Sequence, residues 1–101
     1  MLPNKEMLQA IATRVCVTAT YNRDQIVLAP HILFTKHDEV HADGVVLERN
    51  GAPPREPKVA TFKLAGLHDV AVSDRSFIPD PLFDPNDAKY EGVTLFVVDR
   101  T

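Results

Sequence analysis

From Arg14 onward, apolar and polar residues alternate with a period of two. Val15, Val17, Ala19 and Tyr21 fall on one face and Cys16, Thr18 and Thr20 on the other, the pattern of a half-buried β-strand. Asn22-Arg23-Asp24 supplies turn chemistry, since Asn and Asp tolerate left-handed backbone, and extended sequence resumes from Gln25 to Ala29, predicting a hairpin. Pro30 lacks a ladder donor and marks an edge or a break before the apolar run Ile32-Leu33-Phe34. Lys36-His37-Asp38-Glu39 reads as a polar turn, and Val40 to Glu48 as a strand in which Gly44 marks a bulge or sharp bend. Asn50 to Pro57 holds three prolines and predicts an extended surface loop, the most mobile internal segment. Lys58 to Leu64 and Leu67 to Val72, split by Ala65-Gly66, complete about five strands, a number that suits a small barrel.

The stretches on either side of this β-rich centre obey other rules. In Asn4 to Ala12, Asn4 is a candidate N-cap and Met7, Leu8 and Ile11 share one helical face, predicting a short helix. So brief a helix needs tertiary packing, and the sheet offers it. After residue 72, Pro79, Pro81 and Pro85 alternate with Asp80, Asp84 and Asp87 in an irregular acidic stretch with room for one helical turn, and Thr94 to Asp99 reads as a last strand. The expectation is therefore a mainly β, single domain over residues 1–101. It comprises a leading helix at 4–12, barrel strands over 14–72, and an acidic stretch with a final strand over 73–101.

Composition narrows the class. With 45% hydrophobic and 25% charged residues, the 101-residue chain is of ordinary globular make-up, neither disordered nor a membrane protein. No apolar run reaches the roughly 18 to 20 residues of a membrane span, and no hydrophobic signal-peptide core follows Met1 to Glu6, so a cytoplasmic location is expected. A formal charge of −3 gives no global attraction to nucleic acid or anionic lipid. Arg49, Arg55, Lys58 and Lys63 form the nearest approach to a basic group, read as a solvated loop face. Cys16, the single cysteine, sits between two valines as a small buried hydrophobe.

Chemistry-bearing residues are few. His37 and His41 lie in the densest cluster of potential ligands, His37 to Asp43, but on a fully extended strand they would be roughly 13 Å apart, too far for one zinc ion. Asp80, Asp84 and Asp87 lack the alternating spacing of a calcium loop. His31 and His68 each border an apolar run, where a hydrogen-bonded structural histidine is the usual occupant. Ser73 and Ser76 have no nucleophile elbow around them, and the four glycines are isolated, so no phosphate loop is present. The expectation is a non-enzymatic protein with no cofactor and no metal site.

The order of landmarks resembles the WYL domain, a small Sm-like β-barrel found mostly in bacterial regulators. Ala10-Ile11 in the leading helix, Tyr21 at the end of the first strand, Pro30 and Leu33, Phe62-Lys63-Leu64-Ala65-Gly66-Leu67, and Phe77-Ile78-Pro79 followed by Leu82-Phe83-Asp84 stand where that family has its landmarks. The triplet that names the family falls on Val40-His41-Ala42, and two of its basic positions are held by Ile26 and Gly66, so the resemblance is a divergent one. The resemblance implies a Sm-like barrel and a ligand-sensing or regulatory interaction module, with Tyr21, His41 and Lys63 as its polar site. A small ligand or a short single-stranded nucleic acid is the implied partner. With no helix-turn-helix ahead of the barrel, sequence-specific reading of duplex DNA is not expected of this chain by itself. The alternative is a structural or assembly protein that pairs its strand edges with a second copy or another protein.

Overall fold

The computed structural model describes residues 4–100. The leading helix, α1, spans Lys5–Thr13, and the Asn4 side chain caps it by accepting from the backbone N–H groups of Glu6 (2.9 Å) and Met7 (3.3 Å). Its face is Met7, Ala10 and Ile11, all fully buried, with Leu8 packed at the margin. Burying a large apolar side chain stabilises by about 1.5–3 kcal/mol, which is what fixes a helix this short. Arg14 ends it in a left-handed conformation and turns the chain into the sheet.

Six strands follow: β1 Val15–Tyr21, β2 Asp24–Lys36, β3 Glu39–Arg49, β4 Val59–Lys63, β5 His68–Ser76 and β6 Thr94–Val97. All their pairings are antiparallel, in the order β4-β3-β2-β1-β5, with β6 added to β2 beyond the end of β1. β4 and β5, the ends of the series, do not pair with each other, so the sheet is open and does not close into the expected barrel. The two tight hairpins have left-handed residues at both turn positions, Asn22-Arg23 and His37-Asp38, the conformation whose twist matches the flanking strands.

Pro30 does not break the chain. β2 runs through it, and Pro30 lies where the flank of β2 passes from β1, whose register ends at Leu28, to β6, whose register begins at Ile32. A missing N–H is tolerated at such a gap. Opposite, on β3, Gly44 pairs with Pro30, and the register slips by one residue before Ile32 meets Asp43, leaving His31 as the bulged residue. The expected irregularity is therefore present at Gly44, with the extra residue on the partner strand. The backbones approach so closely here that a Cβ on Gly44 would stand 2.4 Å from the Ala29 carbonyl oxygen.

The acidic stretch is ordered by its own aspartates. Asp80, Asp84 and Asp87 each accept from the backbone N–H two residues on, at Leu82, Asn86 and Lys89, forming three successive Asx turns that lead into a single helical turn, Ala88–Tyr90. From this stretch Phe83 and Tyr90 enter the core beside Phe34. Among the described residues no helix is long and apolar enough to cross a membrane.

Candidate functional site

β3 carries one charged residue into the interior. Asp43 has a side chain only 1% exposed, and its Oδ2 accepts from the Tyr90 hydroxyl at 2.5 Å and from Lys89 Nζ at 2.8 Å. Lys89 also lies 5.5 Å above the Phe34 ring and 5.2 Å from that of Tyr90, and it reaches Thr61 Oγ1 at 3.5 Å, the long limit of a hydrogen bond. Asp43 Oδ1 is buried with no hydrogen-bond partner. Burial, and then the bond to Asp43, push the Tyr90 hydroxyl far above the usual tyrosine range, so it stays protonated and donates. Both donors converge on one oxygen. The cluster fastens the C-terminal segment to the middle of the sheet.

A second fastening lies at the bulge. His31, 1% exposed, uses Nδ1 against the Ala29 carbonyl at 2.8 Å, while Nε2 accepts from the Asp80 N–H at 2.9 Å, and the ring packs between Phe77 and Phe83. These partners define the neutral Nδ1–H tautomer. Burial, the largest influence, lowers the His31 pKa, so the unfolded chain binds the extra proton and stability rises with pH. This contribution is complete above the ordinary histidine value, near pH 6.5, and is lost as the pH falls below it. Urea unfolding at pH 7.5 and pH 5 is expected to show stability falling on acidification, with a slope of up to about 1.4 kcal/mol per pH unit from this group. In His31→Gln that slope should flatten; an unchanged slope would assign the effect to other groups. His68, expected in the same structural role, is exposed.

The three residues singled out from the sequence do not converge. His41 and Lys63 are cross-strand partners on β3 and β4, and His41 stacks on Phe34, so both belong to the face covered by Lys89 and Tyr90. Lys63 is paired with Glu39 at 2.8 Å, and that bond holds the Glu39 carboxyl below the usual range. Tyr21 packs edge-on against Phe62, 5.0 Å between ring centroids, and Phe62 leaves β4 on the face opposite Lys63. The residues that do converge, Asp43, Lys89 and Tyr90, carried one sequence signal: an aspartate in the middle of an apolar strand must find a partner once buried.

Other candidates resolve into structural roles. Cys16 is buried, and that burial raises its thiol pKa, which keeps it unreactive. Among the described residues no group of three or more His, Cys, Asp or Glu side chains is placed to hold a metal ion. A groove of about 440 Å³ lies under the proline-rich β3–β4 loop, between Val46, Ala60, Pro53 and Pro54, with Arg49 and Lys58 at its rim. Arg49 is already paired with Asp24, which Asn50 also binds.

The outer surface is uneven. Leu95, Phe96 and Val97 of β6 are 47%, 36% and 39% exposed, and Ile78 and Leu82 are 89% and 61% exposed. Through His31 these belong to one end of the molecule: its carbonyl accepts from Val98 N–H at 2.7 Å and its ring from Asp80. Among the described residues β6 pairs as a strand only with β2, and α1 packs close to it.

The chain matches no protein-family model, no curated protein and no solved structure.

Proposed function

We propose that this protein is a non-enzymatic, cytoplasmic interaction module that joins other polypeptide through the open edge of β6. The observation that carries the reading is the exposed apolar run Leu95-Phe96-Val97 on a strand paired along one side only. An unpaired strand edge offers a row of backbone donors and acceptors, and proteins ordinarily blunt such edges with charge. The other two edges are blunted in this way. β5 carries His68, Asp69, Asp74 and Arg75, and β4 ends in Lys63 after a loop holding Arg55, Glu56 and Lys58. Thr94 to Val98 contains no charge at all. The polar contacts support the same reading from the other side, since buried Asp43, Tyr90 and His31, with the half-exposed Lys89, are spent on holding the C-terminal segment, and β6 with it, against the sheet.

A second reading, a WYL-like ligand sensor, is favoured by one observation: His41 and Lys63, at positions the resemblance assigns to ligand binding, are neighbours on one face. On that reading the open sheet is an incompletely closed Sm-like barrel of a regulatory module. Against it, Lys63 is already neutralised by Glu39 and Tyr21 lies on the other face. Photo-cross-linking in the cell, from a photoreactive residue in place of Leu95, Arg75 or Lys63, separates the two. Protein adducts chiefly from the β6 position, and none from Lys63, are expected.

A further inference from the structure

We propose that the groove under the β3–β4 loop binds a free α-amino acid with an apolar side chain, its carboxylate held by Lys58 and Arg49 and its ammonium by Glu56. At about 440 Å³ the groove is the size of a small-molecule site. Val46 and Ala60 form its floor and Pro53 and Pro54 its roof, so the ligand's side chain meets apolar surface. The site is separate from the β6 edge, because β6 pairs with β2 at Ile32 to Phe34, while β3 reaches the groove opposite Ile26 to Leu28.

The strands bring the charges to this place. Leu28 pairs with Val46 and Val27 with Glu48, which leaves Leu47 as an extra residue on β3. Without that bulge, alternation would send Arg49 to the face opposite Val46. With it, Arg49 pairs with Ile26, which shares a face with Leu28, and so Arg49 joins the face of Val46. Lys58 precedes Val59, the partner of Val45, and the same register carried one step further sets it beside Val46. Arg49 is anchored there. Its Nη1 donates to Asp24 Oδ2 at 2.8 Å, Asp24 Oδ1 accepts from Asn50 Nδ2 at 2.9 Å, and its backbone bonds Ala52 in both directions, which pins the start of the proline loop. One of the five guanidinium donors serves Asp24, which leaves others for a carboxylate.

The free charges define the ligand. Asp24 neutralises Arg49, while Lys58 and Glu56 enter no ion pair among the described residues, with each other or with anything else. One unpaired cation and one unpaired anion at the rim of an apolar groove complement a zwitterion. A simple acid would leave Glu56 without a partner and a simple amine would leave Lys58 without one.

Nuclear magnetic resonance titration of the full chain with L-phenylalanine, L-leucine, 3-phenylpropanoate and 2-phenylethylamine tests the proposal. The expected result is saturable shifts of the Val46 and Ala60 methyl signals with the amino acids, and binding several-fold weaker for the acid and for the amine. Lys58→Gln should abolish the advantage of phenylalanine over the amine, and Glu56→Gln its advantage over the acid. Both side chains are exposed, and the amide spectrum of each variant confirms that the fold is kept. No shift with either amino acid up to about 10 mM overturns the proposal. So does equal binding of phenylalanine, the acid and the amine, or an advantage that neither substitution changes.

Discussion

Replacing Asp43 with alanine is expected to destabilise the domain by about 2–3 kcal/mol, from loss of a buried, charge-assisted acceptor. The Tyr90 hydroxyl is buried and donates to Asp43 Oδ2, so its removal strands a donor in the core. Lys89 contributes less to the loss, because its side chain is 46% exposed and can return to water. The unpartnered Oδ1 limits the effect further, since its desolvation cost disappears with the carboxylate. Lys89→Met, which keeps the hydrocarbon stem over Phe34, should cost less than about 1 kcal/mol. Urea melts followed by circular dichroism measure both. Equal losses for the two variants would mean that the ion pair, and not the Tyr90 hydrogen bond, holds the segment.

Gly44→Ala is expected to cost about 3 kcal/mol or more, at the upper end of overpacking penalties, because the added methyl meets backbone and not a movable side chain. The obstacle is the Ala29 carbonyl oxygen at 2.4 Å, with Pro30 Cα at 3.0 Å. Relief requires separating β2 from β3 at the bulge that seats His31, so the loss should be accompanied by faster exchange of the Asp80 amide. Gly66→Ala is the control. Its new methyl would lie 3.5 Å from the Tyr21 ring, ordinary contact distance, and a change within about 0.5 kcal/mol is expected from thermal melts. A tolerated Gly44→Ala would show that the two strands are not as close as the structure places them.

Local chemistry made much of the fold readable. Asn4 and the Met7-Ile11 spacing fix α1, the Asn22 and His37 turns set two hairpins, and the period-two runs give the strands. Gly44 announced its irregularity because a glycine inside a strand marks a bulge or a close approach. Closure was not readable in the same way, since it depends on whether β4 meets β5, strands whose alternation is satisfied equally well in an open sheet. Pro30 read as an edge or a break, and it is the former: the chain runs on unbroken and the proline sits at the gap between β1 and β6, whose place is a property of the whole sheet. The acidic prolines predicted an irregular stretch with room for one helical turn, which Ala88–Tyr90 supplies, but not the Asx turn that each of the three aspartates makes.

The functional surface was harder to read for the same reason. Thr94 to Asp99 is recognisable as a strand from its residues, but its place on an edge is decided by the partner it lacks. His41 and Lys63 were placed together by the resemblance, and cross-strand pairing does make them neighbours. Tyr21 was not separable from them in sequence, because which face a strand residue joins follows from register, and the register between β2 and β3, through which β1 reaches β3 and β4, shifts at two places. Asp43 lay within a cluster read for metal ligands, while its partners Lys89 and Tyr90 are more than forty residues away in sequence.

Photo-cross-linking in the cell tests the central claim most directly, because three positions report three surfaces at once: Leu95 for the β6 edge, Arg75 for the β5 edge and Lys63 for the His41 face. The account predicts protein adducts from the Leu95 position, with little from Arg75 and none from Lys63. Adducts confined to the Lys63 position, or spread equally over all three, would contradict it.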